Sequence, residues 1–261
     1  MSPLQSATLH SAPVSSSVPS FVDLRAFARD TSQGVATTPA AGSDPFLANR
    51  RTLDWAAGSP VAAGVITLEA GKGTVQALPA DEFILVNDGG LTLVQHGQGQ
   101  GQDTTLTLEP GQSAVIPHGA AFSWSASAPV SLIFTRYNLS QPGSGAILAI
   151  QQSPELQPSG TPPADLLTTP APSCRNFTDY QSADGEFMCG SWDSTPYARR
   201  PLFYKHYELM HLLEGSVDFV DETGRSATFS KGDVFLIEQG ARCTWDSREQ
   251  VAKVYVIYRP K

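Results

Sequence analysis

The sequence predicts an all-β chain built from two copies of one strand-rich unit, and three observations carry that prediction. The 261 residues include 22 Gly and 20 Pro but only 16% charged residues, a composition that favours many short strands and turns. Apolar residues come in short runs rich in β-branched and aromatic side chains, bounded by Gly, Pro or Asp, which is a strand signal. The second half of the chain also repeats the first, and self-similarity identifies architecture more securely than local propensity.

Taken in order, the first twenty residues hold seven Ser and no Lys or Arg, and they lack the apolar stretch of a secretory signal. They read as a loose tail. FVDLRAFARD at 21–30 can form a short helical turn or a strand, and the following residues are loop material by composition. A flexible tail over 1–43 is therefore expected, with the first folded unit at 44–138. Strand signals there are ILV at 84–86, LTLV at 91–94 and SAVIP at 113–117. Residues 139–173 contain seven Pro and no basic residue, the composition of a linker, with the apolar GAILAI at 145–150 packing in part. The second unit spans 174–261 and includes VFLI at 234–237 and KVYVIY at 253–258.

The two units align residue by residue. EFILVNDGG at 82–90 matches ELMHLLEGS at 208–216, which places Glu82 on Glu208 and Gly89 on Gly215. PGQSAVIPHGAAFSW at 110–124 matches KGDVFLIEQGARCTW at 231–245, which places Gly111 on Gly232, Gly119 on Gly240 and Trp124 on Trp245. The offset falls from 126 to 121 across GQGQGQD at 97–103, read as a lengthened hairpin loop where insertion costs little.

These paired motifs, HLLEGSVDFVDETG followed by FSKGDVFLIEQGARCTW and KVYVI, with GSW at 190–192, resemble the two signature motifs of the cupin superfamily. Within it they are similar to the small cupins that include ureidoglycine aminohydrolase. The resemblance implies two tandem cupin (jelly-roll) barrels, an antiparallel architecture that limits free sheet edges. It also implies a metal held by two His and one Glu from the first motif and one His from the second, serving a manganese-dependent deamination in purine breakdown. Carried over to this sequence, the Glu is Glu208. The His positions fall on Leu202 and Tyr204, or on Pro201 and Phe203 with a longer spacer, and the last falls on Cys243. In the first copy Glu82 stands with Gln76, Leu78 and Phe122. Neither copy supplies the four ligands, so no cofactor is expected. If a divalent metal is bound, its ligands would be His206, Glu208 and Cys243, a set that can hold zinc.

The second copy is the expected ligand site. Residues two apart on a strand share a face, which joins Tyr204, His206 and Glu208 either as a candidate catalytic set, with Glu208 as acid or base of raised pKa and the other two orienting it, or as a polar cavity in which Glu208 and His206 form a hydrogen-bonded structural pair. His211 is expected on the opposite face, against a neighbouring sheet. Candidate ligand-binding residues are Trp192, Trp245 and Tyr255 as aromatic walls, Arg200 to hold a carboxylate from the cluster Arg199, Arg200 and Lys205, and Cys243, whose thiol beside Arg242 can be activated as a nucleophile or lie buried and inert. The basic residues concentrate there too, eleven in 174–261 against four in 44–138.

A formal charge of −8 argues against nucleic-acid or polybasic membrane binding. No apolar stretch reaches a bilayer-spanning length, and Cys174, Cys189 and Cys243 show no zinc or disulfide spacing. A cytoplasmic location is expected. Three functional readings stand at this level: a two-barrel protein that binds or transforms a small polar metabolite, a carboxylate-bearing one among the candidates; a non-catalytic protein whose barrels serve partner binding or dimerisation, the outward apolar strand VYVIY pairing with a second copy as a homodimer; and the metal-dependent aminohydrolase that the resemblance implies.

Overall fold

The computed structural model describes residues 20–38, 40, 42–54, 59–96, 103–143 and 145–261. It is all-β, and each copy forms a barrel from a seven-stranded and a four-stranded antiparallel sheet. In the first barrel the larger sheet is centred on Asp81–Asp88, Val130–Tyr137 and Val61–Leu68, and the smaller on Gly71–Val75, Phe122–Ala126 and Leu91–Gln95. In the second barrel the same places are taken by Tyr207–Glu214, Val251–Tyr258 and Phe187–Ser194, and by Tyr197–Phe203, Arg242–Ser247 and Ser216–Val220.

Strand register matches the sequence alignment position by position. Glu82 pairs with Ile116 and Arg136, and Glu208 pairs with Ile237 and Ile257. Trp124 lies opposite Gly73, and Trp245 opposite Arg199. Gly89 and Gly215 show why the spacing persists: both adopt positive φ, +79° and +75°, and an added Cβ would strike the carbonyl oxygens of Pro129 and Gln250 at 2.5 and 2.2 Å. Only glycine meets both conditions. The lengthened loop expected at 97–103 falls, apart from Asp103, outside the described residues; the strands beside it, Leu91–Gln95 and Thr104–Leu108, pair as a hairpin.

The expectation of a flexible tail to residue 43 is corrected within the described residues. Phe21–Asp23 is a strand, Leu24–Arg29 a helix capped by the Asp23 carboxylate accepting from the Ala26 amide at 2.8 Å, and Val35–Ala36 a strand on the first barrel. The spacing of Phe21, Leu24 and Phe27, all buried, supplies the apolar anchor that the composition of the tail concealed. Phe21–Asp23 pairs with Val234–Ile237 of the second barrel, and Leu148–Ala149 of the Pro-rich segment pairs with Ser113–Ile116 of the first. Val22 and Leu148 meet matching partners, Leu236 and Val115. Each copy thus opens with a short strand that completes the other copy's barrel.

The two larger sheets pack face to face. Phe83, Leu85, Val115 and Ile133 from one and Leu209, Leu236, Val254 and Val256 from the other form one buried cluster, joined by Leu24. The outward face of the VYVIY strand, expected at a homodimer interface, is therefore covered by the first barrel: an apolar sheet face must be buried against another layer, and this chain carries that layer itself. His211 lies on this face, as expected, where the first barrel has Leu85.

Candidate functional site

The interiors of the two barrels differ. In the first, Glu82 is fully buried and receives a bidentate pair from Arg50, at 2.7 and 2.9 Å, and a third bond from Arg136 at 2.7 Å. Arg50 is brought in by the short helix Pro45–Ala48, whose Asp44 cap also accepts from Trp124 Nε1 at 2.7 Å. Its guanidinium lies over the rings of Phe46 and Phe134, at 5.5 and 4.8 Å. Burial pushes the Glu82 carboxyl upward, but Arg136 and Arg50 outweigh it and hold the group below the usual carboxylate range. Aliphatic and aromatic side chains fill the rest.

The second barrel instead contains a cavity of about 520 Å³, a size suited to a small molecule. Glu208 again sits at its centre, but its partners have changed. Lys253 Nζ donates to Oε1 at 2.8 Å, and His206 Nε2 lies 3.2 Å from Oε2. The lysine ammonium is caged by Met210 Sδ at 3.2 Å and by the rings of Trp192 and Trp245, with centroids at 4.7 and 5.3 Å. Tyr197 stacks on Trp245, and Trp192 meets it edge to face. Arg199, almost wholly buried, donates to the Tyr204 hydroxyl at 2.8 Å and to the Cys243 carbonyl at 2.9 Å.

Of the residues singled out in the sequence, Tyr204, His206, Glu208, Trp192, Trp245 and Tyr255 line this cavity. Tyr204 and His206 reach it from the turn before the strand, which begins only at Tyr207. Arg200 does not: it is exposed, and its neighbour Arg199 lines the cavity. The pairing with Arg242–Ser247 is irregular between Arg199 and Leu202, and successive strand residues face opposite ways. Cys243 is also absent from the lining. Its side chain is fully buried in the barrel core, and burial raises the thiol to about 12, so the activated-thiol reading fails. The expected rise in the Glu208 pKa is likewise corrected: burial does push the carboxyl up, but the Lys253 charge and the His206 hydrogen bond carry it well below its ordinary value.

The sequence reading missed Lys253 and Arg50. Lys253 had a signal, since strand alternation places it on the same face as Tyr255. Arg50 had none, because it reaches Glu82 from a segment that has no counterpart in the motifs.

A cupin metal would need several convergent ligands, and these residues do not fit one. Three of the expected positions hold Leu202, Tyr204 and Cys243, and Lys253 occupies the face of the one retained ligand, Glu208. With Cys243 turned into the core, His206, Glu208 and Cys243 do not converge, and no group of three or more His, Cys, Asp or Glu suited to a metal occurs among the described residues.

Residues 181–255 match the EutQ-like cupin domain family model. A solved structure from Pseudomonas syringae pv. tomato, a protein of unknown function in the DUF861 family, is 29% identical with a TM-score of 0.79, covering 91% of this chain and 97% of that one. The fold is that of a two-barrel cupin. Two more distant structures share the fold: a cupin 2 conserved barrel domain protein from Leptotrichia buccalis (11% identity, TM-score 0.55, 80% and 87% coverage) and a salicylate 1,2-dioxygenase from Pseudaminobacter salicylatoxidans (12%, 0.52, 92% and 84%). No curated protein matches the sequence. Among the described residues no helix of this cupin is long and apolar enough to cross a membrane.

Proposed function

We propose that this cupin binds a small, polar, carboxylate-bearing metabolite in its second barrel without a metal. The observation that carries the reading is the cavity around Glu208, into which Lys253, Arg199, His206 and Tyr204 converge between aromatic walls. Few polar groups set among apolar and aromatic surface are the usual make-up of a ligand pocket. The first barrel, whose matching carboxylate is sealed by Arg50, Arg136 and Phe46, has the structural role.

The depressed pKa of Glu208 favours binding over acid catalysis, because a carboxyl that stays ionised holds no proton to donate at neutral pH. A deamination like that of ureidoglycine aminohydrolase is not supported, since its His ligands are replaced by Leu202, Tyr204 and Cys243, which do not converge with Glu208 on one point. Native mass spectrometry and metal analysis of protein purified without chelator test the reading. The expected result is a bound organic molecule, or space for one, with metal well below one equivalent and a thermal midpoint unchanged by chelator. One equivalent of manganese, iron, nickel or zinc that is lost in Glu208→Ala would overturn it.

A further inference from the structure

We infer that Lys253 is the resident cation of the second barrel and that, with Arg199, it selects a planar carboxylate. The ligand's oxyanion would meet the ammonium while its plane lies along the aromatic wall. The inference rests on the reading that this barrel binds a small molecule, and adds its substrate class.

Lys253 is held more firmly than a lysine at a pocket rim. Its ammonium has a carboxylate at 2.8 Å, a thioether sulfur at 3.2 Å and two indole faces around it, so the charge is fixed in place before any ligand arrives. An ammonium has three N–H donors. Glu208 takes one and the sulfur, a weak acceptor, takes another, which leaves one for a ligand in the cavity that Lys253 lines. Fixed donors lose little entropy when they bind.

The charge balance indicates an anion. Lys253 and Glu208 offset each other, while among the described residues Arg199 hydrogen-bonds to neutral groups: the Tyr204 hydroxyl, Tyr197 and the carbonyls of Arg200 and Cys243. Arg199 is thus left as a buried positive charge, which is stable only when partnered, and Arg259, exposed, adds a second cation to the cavity wall. A ligand carboxylate supplies the partner that Arg199 lacks. Planarity follows from Trp192, the part-exposed ring of the cavity wall, since Trp245 and Tyr197 stack on each other and, with Tyr255, are almost wholly buried. The first barrel has Leu132 and Gly73 where the second has Lys253 and Arg199, so the cation pair belongs to the open barrel only.

Titration calorimetry with benzoate, benzamide and cyclohexanecarboxylate decides the matter. The wild-type protein should bind benzoate about tenfold more tightly than neutral benzamide and severalfold more tightly than the puckered carboxylate, by the ordinary strength of charge-assisted hydrogen bonds and ring contact. In Lys253→Met, of similar length and unable to donate, benzoate should fall to within about twofold of benzamide, and Lys253→Arg should keep part of the preference. Should the methionine variant fail to fold, Arg199→Met gives the same readout. Equal wild-type affinity for benzoate and benzamide, or a preference that survives in Lys253→Met, overturns the inference and leaves the binding reading standing. No binding of any of the three overturns both.

Discussion

Glu82 and Glu208 occupy the same position in two copies of one barrel, yet their surroundings are opposite. Glu82 is gripped by two arginines and sealed beneath Phe46. Glu208 is bonded by one lysine and one histidine and faces open space. The exchange takes few substitutions: Asn176 stands where the first barrel has Arg50, Ile257 where it has Arg136, and Lys253 where it has Leu132. A buried carboxylate in this fold requires a cation, and the side from which the cation comes decides whether the barrel is filled or left hollow. In the first barrel Arg50, from the strand Arg50–Thr52, joins Arg136 of the last strand over the carboxylate, whereas in the second, among the described residues, the Lys253 ammonium of the last strand and His206 meet it and the space beside them stays open.

The sharpest test of that contrast is truncation of each carboxylate. Glu82→Ala should cost about 3–5 kcal/mol in urea or thermal unfolding, because it strands two arginines in a dry interior. Glu208→Ala should cost about 1–2 kcal/mol, since water entering the cavity can solvate Lys253. Equal losses would break the comparison.

A second difference lies on the shared interface, where His211 replaces Leu85. Burial, helped by the charge of Arg25, lowers the imidazole to about 4, so the folded state keeps it neutral while the unfolded chain protonates near 6.5. The unfolded state then binds more protons between these values, and stability falls as pH drops through that window, by up to about 3 kcal/mol. His211→Leu should remove that part of the acid sensitivity, read as unfolding free energy against pH.

Smaller again is Lys253→Met, expected to cost about 1–2 kcal/mol at neutral pH. The pairing lowers the Glu208 pKa, so its contribution is present above the unfolded value near 4.5 and is lost as pH falls toward the folded one. The difference between wild type and variant should shrink on acidification to pH 3. The least effect is expected from a thiol reagent. Cys174, Cys189 and Cys243 are buried and free, and burial raises each thiol, so native protein should react far more slowly than unfolded protein.

Much of the architecture was legible in the sequence because the repeat is written in glycines. Gly89 and Gly215, or Gly119 and Gly240, mark turns whose positive φ restricts the choice of residue, and equal spacing from such turns fixes which way Glu82 and Glu208 face. The site was legible only where strand alternation was followed through. Lys253 was recoverable from Tyr255 by that rule, whereas Tyr204 and His206, grouped with Glu208 by alternation, reach the cavity from the turn before the strand. What stayed hidden depends on long-range contact: Arg50 reaching Glu82, the first barrel covering Val254 and Val256, and Phe21 crossing to the second barrel core. Local pattern carries no trace of which distant partner an apolar or charged residue will meet.

The crossing strand also sets an order of events during synthesis. The first barrel can gain its donated strand as soon as residue 149 has emerged, because its partners at 114 and 115 precede it. Residues 21–23 must wait for 235–237, which are made long after them. Until then the strand Phe21–Asp23 lacks its partner, while the helix after it already packs on the first barrel, with Arg51 over the Phe27 ring at 4.3 Å, and a late, long loop closure completes the sheet. A ribosome stalled before residue 235 should therefore present a nascent chain that a protease cuts near Phe21, while the released protein resists it there.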